Sequence, residues 1–215
     1  MIHYSESDLD SMDYVRRINL INSCSGYKSA NLIGTVSDDG IDNLAIFSSI
    51  IHIGSNPALL GFFTRPTSVI RNTYSNIKST KYFTINHVHE SILADAHHTS
   101  AKYKPEISEF DFTNLEPEYK PQHAAPFVVN SPLQLSMEFV EEYDIVANNT
   151  ILVISKINDL YVDGKMIEKD GFINLSRGKI ATINGLDGYS IPKLKTRFNY
   201  QRPKPLSIKN DIWKF

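Results

Sequence analysis

The sequence predicts a mainly β protein, an antiparallel barrel with a few peripheral helices. Three observations carry that expectation. Short apolar stretches, several of them alternating with polar residues, recur along the chain. Glycine-bearing turns join some of them into hairpins. They outnumber the helical stretches and follow one another at short spacing, which argues against a parallel α/β sheet.

Taken in order, residues 5–20 mix acidic and apolar positions and read as a short helix. Residues 30–37 (ANLIGTVS) are a strand of small residues. Asp38-Asp39-Gly40 is a tight turn, because glycine adopts a positive φ at little cost, and 42–51 is the returning strand. Asn56-Pro57 interrupts it, and 58–63 is a continuous apolar run consistent with a buried strand. Over 68–79, Ile70, Tyr74 and Ile77 share one helical face, with Thr67 or Ser68 as the natural N-cap. Residues 82–88 alternate as a strand, and 90–102 look helical. Residues 103–130, with Pro105, Pro117, Pro121 and Pro126, read as loop. Leu133, Leu135, Met137 and Phe139 alternate as a half-buried strand. Residues 151–157 form another, and Asp163-Gly164 turns the chain again. From about 180 onward the pattern assigns no element.

The chain's 215 residues suit one domain. At that size folding hides roughly 70% of the unfolded surface. Apolar residues at 41% and charged residues at 21% match a globular composition. A formal net charge of −2 lacks the basic footprint of nucleic-acid binding. The basic stretch Lys193, Lys195, Arg197, Arg202 and Lys204 reads as a solvated tail. The single cysteine, Cys24, allows neither an internal disulfide nor a cysteine-rich zinc site. The N-terminus lacks the pattern of a signal peptide, and no apolar run is long enough to span a membrane, so a cytoplasmic protein is expected.

The chemistry gathers between 64 and 73. Arg65, Thr67, Ser68, Arg71 and Thr73 surround an expected helix start, where unpaired N–H groups attract anions. Arginine forks onto phosphate, and hydroxyls add donors. A plain capped helix with solvated arginines fits the same spacing. No GxGxxG or GxxxxGK[ST] loop competes for a phosphate. In the preceding hairpin, Ala30, Gly34 and Ala45 leave room for a flat group, and NLAIFSS offers backbone amides and two serines. Ordinary strand packing is the alternative. His87 and His89 share a strand face without a third ligand at a telling spacing, and they read as non-ligating histidines. Cys24 has no nucleophile motif around it. Glu141, Glu142 and Asp144 read as a solvated strand end.

The order NLAIFSS, Ser-Asn-Pro, apolar strand, TRPTSVIRNTYSNI and KYFTIN resembles the flavin reductase-like family of FMN-binding split barrels, which includes flavoprotein oxygenases and flavoredoxins. EISEFDFTNLEP and APFVVNSPLQLSMEF also resemble family segments. The resemblance implies a Greek-key-like split β-barrel over 1–215, with its core at about 26–157 and a C-terminal extension that covers flavin or a partner subunit. It implies FMN, a homodimer, and electrons passing from NAD(P)H to an acceptor. An electron-transfer or non-enzymatic FMN-binding protein is the alternative. Asn43, Ala45, Ile46, Phe47, Ser48 and Ser49 would lie along the ring. Arg65, Thr67, Arg71, Asn72 and Thr73 would hold the phosphate. Lys28 and Asn31 stand near the family's Arg-Pro segment and would reach the flavin or its phosphate. The resemblance marks no catalytic acid or base, and it implies no metal, nucleic acid or membrane.

Overall fold

Seven antiparallel strands organise the computed structural model, which describes residues 1–203. Two helices, α1 (Glu6–Ser11) and α2 (Tyr14–Cys24), come first. The strands β1 (Lys28–Ser29), β2 (Asn31–Val36), β3 (Asp42–Phe47), β4 (Ile51–Ser55) and β5 (Ala58–Thr64) follow. Then come α3 (Asn72–Thr80), β6 (Tyr82–His87) and α4 (Leu93–His98). The rest are β7 (Pro117–Lys120), β8 (His123–Val128), β9 (Leu133–Ile145), β10 (Thr150–Val162), β11 (Thr182–Asn184) and β12 (Gly188–Ser190).

The main sheet runs β3-β2-β6-β9-β10-β5-β4. β3 and β4 are its two edges, yet only residues 48–50 join them. The sheet must therefore curl until its edges approach. Ser49, in that link, continues the β4–β5 register with its side chain: its hydroxyl donates to the Phe63 carbonyl at 3.0 Å and accepts from the Phe63 N–H at 3.1 Å. Among the described residues no ladder joins β3 to β4, so the barrel stays split between these edges. Phe47, Phe62 and Phe83 pack edge-to-face through its interior, with centroid separations of 5.3 and 5.7 Å. Ile33, Ile85, Met137 and Val153 complete that core. Leu32, Leu44, Val88, Ala96 and Ala181 form a second core on the outer face. Gly34 on β2 allows the β8 backbone to lie directly against it. A Cβ there would stand 2.2 Å from the Pro126 carbonyl oxygen.

The observed elements correct several expectations. The first helix is two, each with its own cap: Ser5 and Asp8 form a capping box, and Asp13 caps α2. The strand expected at 42–51 breaks at residues 48–50, where the chain crosses between edges. Thr67 and Ser68 cap nothing. They lie in a turn, and α3 starts at Asn72 with Arg71 as its N-cap. The β-branched Val69 and Ile70 fit that turn better than a helical first turn, and Ile70 is exposed rather than on the buried face. The helix expected over 90–102 is a 3-10 turn at Glu90–Ile92 followed by α4. The stretch 103–130, expected as loop, holds the β7–β8 pair. β9 and β10 run well beyond their expected ends into one long hairpin. Beyond 180, β11 pairs with β1 on one side and β12 on the other as a three-stranded sheet. Of the basic tail, Arg197 pairs with Asp170 at 2.6 Å, and Lys204 lies outside the described residues.

Candidate cofactor site

A cleft of about 540 Å³ opens beside β3, within the range that takes a small cofactor. One wall is β3 and the crossing after it, Asn43 and Ala45 to Ser49. The floor comes from Phe63, Thr64 and Arg65, then from Val69 to Thr73 at the start of α3. The opposite wall is Thr99 to Tyr103 with Pro105, and Glu109 closes the end against β3.

The β3 wall is an open sheet edge. Backbone polar groups of alternate residues in an edge strand face away from its partner. Leu44 is such a residue: its N–H points outward and donates to the Glu109 carboxylate at 2.8 Å. By the same alternation Ile46 presents its N–H and C=O on that open edge. A planar ring with a donor beside an acceptor could pair there as a further strand would.

The other end of the cleft is cationic. Arg71 supplies no side-chain cap to α3, so the first N–H groups of the helix carry their partial positive charge without a side-chain acceptor. Arg71 Nε donates to the Pro66 carbonyl at 3.4 Å, a long bond that leaves the rest of the guanidinium free. Among the described residues neither Arg65 nor Arg71 pairs with a carboxylate. Asn43 ties the two ends together. Its amide donates to Thr73 Oγ1 at 3.0 Å and to Thr35 Oγ1 at 3.3 Å, fixing α3 against the hairpin.

The far wall is held by aromatic contacts. The Tyr103 hydroxyl meets His98 Nε2 at 2.7 Å, and its ring stacks on Phe112 with centroids 4.9 Å apart. Glu109 is buried, and burial pushes its carboxyl above the usual range while backbone N–H groups oppose that rise.

Ten of the thirteen residues expected at the site therefore line one cleft: Asn43, Ala45, Ile46, Phe47, Ser48, Ser49, Arg65, Arg71, Asn72 and Thr73. Three do not. The Lys28 ammonium is drawn to the end of α2, where it donates to the Asn22 carbonyl and the Ser25 hydroxyl. Asn31 is fully buried and donates to Ser29. Thr67 stands on the outside of its turn. Sequence reasoning missed Thr99 to Tyr103, Pro105 and the role of Glu109. The hydroxyls and lysines of TSAKYKP, spanning the end of an expected helix, were the available signal. No described residue after Glu109 lines the cleft, so the extension expected to cover a flavin does not reach this wall. Among the described residues no cluster of His, Cys, Asp or Glu is arranged to hold a metal.

An antiparallel split barrel with a cleft joining an open strand edge to a cationic helix start defines the class. The model of the flavin reductase like domain matches residues 24–181, and the chain belongs to that family. A candidate flavin reductase with a split barrel domain from Shewanella frigidimarina is 43% identical. It superposes with a TM-score of 0.90 over 94% of this chain and all of that one. Nitrilotriacetate monooxygenase component B from Bacillus cereus shares the fold at 18% identity, with a TM-score of 0.77 over 93% and 98% of the two chains. So does flavoredoxin of Desulfovibrio vulgaris, at 17% identity and a TM-score of 0.71 over 81% and 91%.

Proposed function

We propose that the chain is an FMN-dependent oxidoreductase that passes electrons from NAD(P)H through FMN to an acceptor. One observation carries this reading: a single cleft joins an open β3 edge to an uncapped helix start with two unpaired arginines. A planar ring and one terminal phosphate are the two chemistries such a cleft would take together, and FMN has both. Family membership and the 43% identical candidate flavin reductase support a flavin and oxidoreductase chemistry. In this reading Ile46 hydrogen-bonds the ring through its backbone, and Ala45, Phe47, Ser48 and Ser49 border it. Arg65, Arg71, Asn72 and Thr73 hold the phosphate. Bound FMN supplies the redox chemistry, while the protein binds and orients it.

The proposal extends to a homodimer in the cytoplasm, with 1–215 as one domain. Phe63, Val69 and Ile70 at the cleft, and Ile51 and Ile53 on edge strand β4, are exposed apolar residues that a second copy would cover. The free, exposed thiol of Cys24 suits a reducing compartment. Among the described residues no helix is long and apolar enough to cross a membrane.

The test is direct. Purified protein should be yellow, or become so with added FMN, and should release FMN on denaturation. NADH or NADPH should then bleach the bound flavin. Protein that stays colourless with excess FMN rules the proposal out. Bound flavin that neither nucleotide bleaches makes the chain an electron carrier fed by another donor.

A further inference from the structure

Glu109 is an unusual group to find in the wall of this cleft. Its carboxylate answers the outward N–H of Leu44 across 65 residues of chain, a task a neutral acceptor would perform without the cost of burying a charge. Among the described residues no cation pairs with it; only backbone N–H groups do. The cleft's other charges stand elsewhere. Arg65 and Arg71 lie at the α3 end, and Lys102 lies on the exposed opposite wall. Asp42 and Asp111 flank the start of β3 outside the lining, where Asp42 accepts a hydrogen bond from Tyr119. Ile46, whose N–H and C=O face the open edge, is two residues from Leu44, roughly 7 Å along a strand.

We propose that Glu109 lowers the reduction potential of a flavin bound on the β3 edge, its carboxylate opposing the negative charge that reduction adds to the ring. This rests on the FMN reading above. When two electrons from a reductant and one proton from solvent enter oxidised FMN, the ring gains one negative charge. No bond to Glu109 forms or breaks. A unit negative charge within roughly 7 Å of a carboxylate is disfavoured by a factor on the order of ten or more in a protein environment. Linkage then requires the Glu109 carboxylate to weaken the binding of reduced FMN, relative to oxidised FMN, by the same factor. Glu109 is thus a tuning residue, acting on the cofactor through space.

The experiment uses full-length protein loaded with FMN at pH 8.5, reduced by dithionite against a reference dye. Glu109→Gln keeps an oxygen that accepts from Leu44 and removes only the charge. Its midpoint potential should move positive, and the ratio of oxidised to reduced dissociation constants should rise on the order of tenfold. Glu109→Asp, which keeps the charge, should stay nearer wild type. An unchanged midpoint in FMN-loaded Glu109→Gln overturns the role of Glu109. Equal shifts in the Gln and Asp variants also overturn it, because loosened packing would then be the cause. Should Glu109→Gln not fold, Glu109→Asn is compared with Glu109→Asp, which has the same length and differs in charge: equal midpoints overturn the proposal. Wild-type protein that binds no FMN overturns the cofactor reading itself.

Discussion

The barrel interior and the open edge of β3 are one strand apart and are built on opposite terms. Around β2 and β6 most buried polar groups are matched to one another, with Asn31 Oδ1 and His87 Nδ1 as exceptions. Thr84 donates to the Pro126 carbonyl at 2.6 Å, Asn86 accepts from the Val128 N–H at 3.0 Å, and Gln134 donates to the Val128 carbonyl at 2.7 Å. These bonds lock β8 and β9 onto the sheet. Along the cleft the backbone edge at Ile46, the first N–H groups of α3 and most of the Arg71 guanidinium face outward instead. Substitutions in the first region should therefore appear as stability, and substitutions in the second as affinity. Each prediction below can break that division.

The largest effect belongs to an interior group that is not matched. His87 is half-buried, its Nδ1 is enclosed without a partner, and burial pushes its pKa down to about 4. The unfolded chain titrates near the ordinary value of about 6.5. Between those values the unfolded chain takes up a proton that the fold refuses, so stability falls as pH drops from 6.5 towards 4. Two and a half units at about 1.4 kcal/mol each give a loss of at most about 3.5 kcal/mol from this group across the whole window. Urea unfolding at pH 7 and pH 4.5 should show the loss in wild type and a smaller one in His87→Gln. The same acid slope in both would mean that the interior does not strain this histidine. FMN affinity at pH 7 should not follow the substitution.

Arg71→Ala tests the cleft side of the division. Removing a charged hydrogen-bond donor costs about 1.5–3 kcal/mol of binding. The cost should fall on FMN and spare riboflavin, which has no phosphate. Thermal stability of the unliganded protein should hardly change, because Arg71 makes one long bond to Pro66. Fluorescence titration with both flavins measures the contrast. Equal weakening of the two would show that Arg71 does not read the phosphate.

What could be read in the sequence follows the same line. The β2–β3 hairpin, β5 and β6 were legible because turn residues and apolar pattern lie next to each other in the chain. β7 and β8 were not, because Pro117 and Pro126 signal loop; the fold tolerates them in a two-stranded sheet outside the main one. The ends of β9 were hidden by Glu141, Glu142 and Asp144, which break the alternation in an exposed part of the hairpin. β11 was hidden because its partner, β1, is far away in the chain. In the site, β3 and the α3 start are contiguous stretches whose residue types advertise their chemistry. The far wall depends on long-range contacts, Glu109 with Leu44 and Tyr103 with Phe112, which no local pattern encodes.

The smallest predicted effect is also the sharpest check on where the phosphate end lies. Sequence spacing offers Thr67 or Ser68 as an N-cap, and the family resemblance implies that Thr67 holds the phosphate; both roles place it at the first turn of a helix. Here α3 begins five residues later, at Asn72, and Thr67 is exposed in a turn outside the cleft lining. An N-cap threonine changed to alanine would cost about 1 kcal/mol of stability. An exposed turn threonine without partners should cost less than about 0.5 kcal/mol. Thr67→Ala should thus leave the melting temperature nearly unchanged and bind FMN as wild type does. A clear loss of FMN affinity with riboflavin binding intact would mean that the 65–71 turn swings Thr67 inward when phosphate arrives. The open donors of the cleft would then be completed by ligand-driven closure rather than preformed.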